Sequence, residues 1–226
     1  MQKRHAGHAV TNLLLLLIIA ALYLATVEPQ AVRVNAPVYR GSSPNMAALQ
    51  FTVDYPAAAL PDILDTLQAA GAHATFAVSG AWAGEYPGLA RRMAEEGHEL
   101  ATMGYNPAFD GKLSLVQTDI ETSLRVIEQA SGVRPTLYYS GTRGVAISGR
   151  AAKKLGLTQV LCTVDLLCAR GTASDIVLRV SNEQIPGSIL LMQPTRAAAG
   201  ALGMILQVLD QKGITATTTS GVLGRA

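Results

Sequence analysis

Residues 46–80 read MAALQFTVDYPAAALPDILDTLQAAGAHATFAVSG, and this stretch decides the fold class. The uncharged run over residues 48–53 predicts a β-strand, and residues 74–78 predict a second one. Between the two strands, four apolar side chains recur at the spacing of one helix face: Leu60, Ile63, Leu64 and Leu67. This helix is predicted to end at Gly71. A strand, a helix and a second strand joined by short connections are typical of a parallel β-sheet.

The same alternation continues to the end of the chain. Further strands are predicted at residues 98–102, 136–139, 160–164, 188–192 and 214–218, with helices between them. At the start of one of these helices, Ser114 and Gln117 match the pattern of a capping box. The alternation predicts an α/β fold with a parallel sheet, either a barrel or a doubly wound sheet. Because both architectures bind ligands at the carboxyl ends of their strands, functional residues are expected there.

The N-terminus has the features of a membrane segment. Lys3 and Arg4 precede an uncharged stretch over residues 9–27 that contains five consecutive leucines. This length is about that needed to span a bilayer. The positive-inside rule places the basic end in the cytoplasm and the rest of the chain outside. We therefore predict a single-pass transmembrane signal anchor over residues 1–27 in the cytoplasmic membrane, with the domain facing the periplasm or the extracellular side.

Two alternatives to a retained anchor stay open, a cleaved signal peptide and a buried core helix. The best cleavage site, Val34-Asn35-Ala36, is followed by Pro37, which disfavours cleavage. Residues 28–45 contain several proline, glycine and serine residues and lack an apolar period, so they predict a linker. Residues 46–226 are predicted to form one domain.

The composition excludes some functions and limits others. A net charge of +2, without any long basic run, gives no electrostatic basis for nucleic-acid binding. The only two cysteines, Cys162 and Cys168, are a disulfide candidate in a domain outside the cytoplasm. The alternative is a pair of small buried apolar side chains. The pair alone offers too few soft ligands for a zinc site.

Five segments, in this order and spacing, resemble the polysaccharide deacetylases of carbohydrate esterase family 4. They are QFTVDYP at 50–56, AGAHATFAVSG at 70–80, EGHEL at 96–100, GVRP at 132–135 and PGSILL at 186–191. The resemblance covers nearly everything from Met46 to about Leu223. It implies a distorted (β/α) barrel of about seven strands. It also implies an envelope protein that acts on carbohydrate, which agrees with the N-terminal segment.

The chemistry of that family implies a divalent metal held by one Asp and two His, a second Asp as base and a late His as acid. Matched motif by motif, only the base position is kept, as Asp54. The other positions hold Tyr55 for the metal Asp, Met103 and Pro107 (or its neighbour Asn106) for the two His, and Gln193 for the acid. The resemblance therefore implies no bound zinc and no other cofactor, because these side chains do not supply the ligands.

Asp54 is the single catalytic candidate, and it has two interpretations. At the end of a strand it could still act as a base or bind a ligand, or it could be a relic that caps the following loop. The Arg that positions the base in the family is missing, unless Arg143 substitutes from nearby. Gln193 can form hydrogen bonds but cannot act as a general acid near neutral pH.

Aromatic residues lie in or beside the altered motifs. Trp82 follows the second strand, and four tyrosines fall in or beside these motifs: Tyr55, Tyr105, Tyr138 and Tyr139. Rings with polar tips at a barrel mouth are typical of a sugar-binding surface. The alternative is that these rings fill volume left by the lost His and Asp side chains.

Two classes of function stay open. The first is a non-catalytic envelope protein that binds a glycan or a protein partner through the former active-site face, with Arg143 and Gln193 as polar contacts. The second is a working carbohydrate N-deacetylase with a site rebuilt around Asp54 and either Arg143 or Asp165. The presence of a bound metal would distinguish the second class from the first.

Overall fold

A computed structural model describes residues 13–21, 36–56, 58–141 and 144–225 of the chain. The chain divides into two units, Met1–Val34 and Asn35–Ala226. In the first unit residues 13–21 are helical, and the rest of the predicted anchor lies outside the described residues. Among the residues that the structure describes, no helix combines the length and the apolar character needed to cross a membrane.

The second unit alternates strands and helices, as the sequence predicts. The strands are β1 (Met46–Val53), β2 (Thr75–Val78), β3 (Glu99–Thr102), β4 (Leu137–Tyr139), β5 (Thr158–Val160), β6 (Val164–Asp165), β7 (Ile189–Met192) and β8 (Thr215–Thr217). The helices are α1 (Leu60–Ala69), α2 (Gly80–Glu85), α3 (Pro87–Glu95), α4 (Leu113–Ser131), α5 (Val145–Lys154), α6 (Ala173–Asn182), α7 (Arg196–Gln211) and α8 (Thr219–Val222).

All strand pairs in the sheet are parallel. The order is β5-β4-β3-β2-β1-β7-β6, and β8 pairs with the start of β1. In the centre, Phe51 of β1 lies beside Phe76 of β2 on one side and Met192 of β7 on the other. The seven strands from β5 to β6 in this order curl into a half-barrel that is covered by helices. The predicted distorted (β/α) barrel of about seven strands is therefore confirmed.

Burial explains why β1 reads as an uninterrupted uncharged run. Every residue of β1 after Met46 is buried, so both faces of this strand are covered and no polar alternation is needed. The rings of Phe51 and Phe76 stack with their centroids 5.1 Å apart. The four periodic side chains of α1 pack into the same core, which confirms that helix: Leu60, Ile63, Leu64 and Leu67.

Residues 36–45 correct the predicted boundary between linker and domain. The Val38 N–H donates to the Gln159 carbonyl at 2.9 Å, and the Leu161 N–H donates to the Val38 carbonyl at 2.9 Å. Arg40 donates to the Pro186 carbonyl at 2.6 Å. The edge of β5 that faces away from β4 would otherwise leave backbone groups unpaired, at a cost in free energy. The segment 36–45, called the strap below, therefore belongs to the domain, and the predicted linker residues 28–35 lie outside the described residues.

Candidate functional site

A cavity of about 370 Å³ lies at the carboxyl ends of the strands. Its wall comes from the ends of five strands or the loops that follow them, where parallel sheets bind ligands. The lining residues are Thr52, Asp54, Met103, Pro107, Ala108, Tyr139, Ser140, Gly141, Asp165, Leu191 and Gln193. The structure therefore brings together the predicted residues Asp54, Tyr139 and Gln193, which are far apart in the sequence.

Asp54 directly follows β1, is exposed and lines this cavity. Within the described part of the chain its carboxylate has neither a hydrogen bond nor an ion pair. The interpretation of Asp54 as a loop cap therefore gains no support from the structure. A carboxylate without a partner remains free to meet a ligand or a proton.

The positions of the former metal ligands do not fit a catalytic metal. Burial, followed by the charge of Asp54, raises the pKa of Tyr55, so the phenol stays protonated. Met103 is buried beside Leu137 and offers a soft thioether, and Pro107 has no side-chain donor. No group of three or more His, Cys, Asp or Glu side chains in the described ranges could hold a metal ion. Zinc in catalytic sites takes about three protein ligands, which this set does not provide.

Gln193 occupies the position of the family's catalytic acid, directly after β7. Its side-chain Oε1 is buried and has no hydrogen-bond partner among the described residues. An amide cannot release a proton to a leaving amine near neutral pH. Gln193 can therefore orient a ligand but cannot replace the missing acid.

Trp82 was predicted to lie at the barrel mouth, and this prediction is wrong. Its side chain is only 3 % exposed and packs in the main core, with its ring stacked on Tyr86 at a centroid distance of 5.5 Å. Ser79 caps α2 by accepting a hydrogen bond from the Trp82 N–H, which fixes Trp82 in the first turn of this helix. The indole is therefore not available to a glycan.

The four predicted tyrosines do not converge, and Tyr138 is fully buried in a separate apolar cluster. Only Tyr139 lines the main cavity, where it is buried, whereas Tyr55 and Tyr105 are exposed and are not among its described lining residues. Tyr105 instead lines a separate shallow cavity of about 300 Å³ with Phe109 and Leu115. The predicted aromatic surface is thus reduced to one ring in the cavity. Arg143 lies outside the described residues, so its role stays a prediction.

Two polar residues of the cavity were missed by the sequence analysis. Thr52 lies two residues before Asp54 on β1, so its side chain shares the inward face of the strand. Ser140 directly follows β4, and its hydroxyl accepts a hydrogen bond from the Gln159 amide at 3.0 Å. Their position at strand ends was the available signal, because that is where a parallel sheet collects its functional side chains.

The disulfide candidate is not formed in the structure, where Cys162 and Cys168 are free thiols. They belong to different apolar clusters, with Cys168 buried in the main core and Cys162 half-buried beside Tyr139. Burial raises the pKa of Cys168 to about 11, so this thiol is unreactive near neutral pH. For Cys168, the alternative of a small buried apolar side chain is the one that the structure shows.

Residues 40–160 match the family model for polysaccharide deacetylase. The uncharacterized protein YlxY of Bacillus subtilis is 26 % identical over an alignment 228 residues long. The alignment covers 98 % of this chain and 69 % of YlxY. The peptidoglycan-N-acetylmuramic acid deacetylase PdaC of Bacillus subtilis is 29 % identical over 199 residues, which cover 85 % of this chain but only 42 % of PdaC.

Solved structures share the fold. The CE4 family pseudoenzyme BA3943 of Bacillus anthracis superposes with a TM-score of 0.76 at 24 % identity, covering 84 % of this chain and 70 % of that one. A family 4 carbohydrate esterase of Streptomyces lividans superposes with a TM-score of 0.70 at 25 % identity, covering 77 % of this chain and 93 % of that one. These likenesses agree with the barrel described above.

Proposed function

This chain belongs to the polysaccharide deacetylase family, and we propose that it is a non-catalytic member that binds a glycan through the cavity at the strand ends. One observation carries the proposal. A cavity of about 370 Å³ remains, with unpaired polar groups in its wall, although the residues at the metal and acid positions can no longer perform the chemistry. Pockets of about 300–1,000 Å³ are typical of small-molecule sites.

The lack of a metal follows from the donor set. A protonated phenol at Tyr55, a thioether at Met103 and a proline at Pro107 leave no ligand that would bind zinc firmly near neutral pH. Without a Lewis acid, an amide carbonyl would need another group to stabilise the developing oxyanion. We therefore propose that the chain binds no zinc and uses no other cofactor.

Two similar proteins support this function. BA3943 is described as a CE4 family pseudoenzyme, so a chain of this fold exists without the family's activity. PdaC is named for its action on peptidoglycan, which makes cell-wall glycans the first ligands to test. Because this chain spans less than half of PdaC, the activity of that protein is not carried over to it.

We also propose that the domain is held at the cytoplasmic membrane by residues 9–27 and lies on its outer side. The support is the sequence pattern, in which Lys3 and Arg4 precede an uncharged stretch long enough to span a bilayer. This location would bring the cavity to the compartment that holds cell-wall glycans.

The test measures binding and hydrolysis on the same preparation of the full chain. We expect NMR titration with cell-wall oligosaccharides to shift resonances of residues around the cavity, and an acetate-release assay with added divalent metals to stay at background. Asp54→Asn is compared with Asp62→Asn, a matched change on the exposed face of α1. Acetate release that Asp54→Asn abolishes and Asp62→Asn does not would show a site rebuilt around Asp54. If no oligosaccharide binds, a protein partner becomes the better hypothesis.

A further inference from the structure

The charged side chains among the described lining residues of the cavity are all acidic. Asp54 and Asp165 both line it, and none of its described lining residues is Lys, Arg or His. Asp54 is without a partner among the described residues, while one oxygen of Asp165 accepts the Leu167 N–H at 2.8 Å and the other stays available. Two carboxylates that line the same cavity repel each other and favour a positively charged ligand.

The wall also contains polar side chains that have no partner among the described residues. Thr52 and Tyr139 are only 9 % and 7 % exposed, and neither hydroxyl has a hydrogen-bond partner in the part of the chain that the structure describes. The Oε1 atom of Gln193 is buried and unpaired in the same wall. Polar side chains that line a cavity without a partner suit a ligand with several hydrogen-bonding groups.

We propose that the cavity recognises a glycan that carries a free amino group, with the sugar ammonium held between Asp54 and Asp165. The inference rests on the proposed glycan-binding function and narrows its ligand to amino sugars that have no acetyl group. An ammonium has three donors and no acceptor, which suits two carboxylates. The ring hydroxyls of the sugar would pair with Thr52 and Tyr139.

An N-acetylated sugar would fit this cavity less well. Its amide is neutral and its acetyl methyl is apolar, so it would leave both carboxylates uncompensated and desolvated. The charge of the cavity thus disfavours the acetylated form as well as favouring the free amine, and specificity often rests on both effects. The chain would then bind the product of a deacetylation that it does not perform.

The test is isothermal titration calorimetry of the full chain with two tetrasaccharides of the same linkage, one of glucosamine and one of N-acetylglucosamine. At about pH 6 the sugar amine is largely protonated. We expect the glucosamine tetramer to bind at least about tenfold more tightly. Asp54→Asn and Asp165→Asn should each weaken its binding about tenfold and should not weaken the binding of the acetylated tetramer. Asp62→Asn, at a residue that does not line the cavity, should change neither affinity.

The outcomes separate this inference from the proposed function. Equal or tighter binding of the acetylated tetramer would overturn the inference and leave glycan binding standing. If neither tetramer binds to correctly folded protein, both this inference and the proposed glycan binding are overturned. Competition by one equivalent of Ca²⁺ or Mg²⁺ would assign the two carboxylates to a metal ion instead. Asp54→Asn removes no hydrogen bond or ion pair within the described residues, and urea unfolding of this variant checks that a loss of binding does not reflect unfolding.

Discussion

The carbonyl oxygen of Val222 occupies the space that a Cβ atom on Gly41 would need. Gly41 lies in the strap, and Val222 ends α8, so the two ends of the domain pack against each other through a contact that only glycine permits. The carbonyl is backbone and cannot rotate away as a flexible side chain would.

We therefore expect Gly41→Ala to lower the free energy of unfolding by about 2 kcal/mol, the range typical of overpacked sites. Gly88→Ala is the matched control, because no atom lies within contact distance of a Cβ at that helical position. Gly88→Ala should leave the free energy of unfolding unchanged or raise it by up to about 1 kcal/mol. Urea unfolding of the full chain measures both, and equal stabilities for the two variants would contradict the packing of the strap.

A second prediction concerns the metal. Dialysed wild-type protein should contain no stoichiometric zinc, whereas the triple variant Tyr55→Asp, Met103→His, Pro107→His should bind about one zinc per chain. A triple variant with Leu, Leu and Ala at the same positions controls for altered packing. Elemental analysis gives the readout. One zinc per wild-type chain, or none in the first variant, would contradict our account of these positions.

A third prediction follows from His98, whose side chain is buried against Phe76. Burial lowers its pKa to about 4, with smaller contributions from His73 and Arg92, while Glu96 opposes the shift. In the unfolded chain the pKa is about 6.5, so below this pH the unfolded state binds the proton first. The contribution of His98 to the free energy of unfolding is therefore complete above about pH 6.5. It is lost as the pH drops toward 4, by roughly 3 kcal/mol in total.

Denaturant unfolding between pH 7 and pH 4 measures this loss. His98→Gln should flatten the pH dependence, whereas His73→Gln should keep most of it. If the free energy of unfolding depends on pH equally steeply in the wild type and in His98→Gln, His98 is not the group responsible.

A fourth prediction concerns the orientation in the membrane. A reporter fused after Ala226 should be active only if it functions outside the cytoplasm, because the positive-inside rule predicts that Lys3 and Arg4 keep the N-terminus inside. Removing both charges should weaken this preference. Activity of a cytoplasmic reporter at the same fusion point would overturn the proposed location.

The elements of the fold that depend on local periodicity were predictable. β1 and α1 follow from an unbroken uncharged run and from helical spacing, and both are buried as expected. The capping box at Ser114 was wrong, because α4 starts at Leu113 with Lys112 as its N-cap and no side-chain cap. A capping box does exist at Thr172 and Asp175 of α6, where Asp replaces the usual Glu or Gln.

The errors at the site and at the strap have another cause. Trp82 is close in sequence to a strand end, but sequence distance does not show which way a helix turns its side chains. Residues 36–45 have the composition of a linker, and nothing local reveals that Val38 pairs with β5 more than a hundred residues later. Contacts of this kind depend on the whole sheet, and the sequence pattern around Val38 carries no trace of them.

The cavity near the start of β5 places the two ends of the domain side by side. Ala36 and Arg225 both line it, and Arg225 donates a hydrogen bond to Thr158. Both ends therefore meet at the amino ends of the strands, whereas the cavity that contains Asp54 and Gln193 lies at their carboxyl ends. A domain with this arrangement is expected to tolerate circular permutation, or insertion into a loop of another protein, without a change in that cavity.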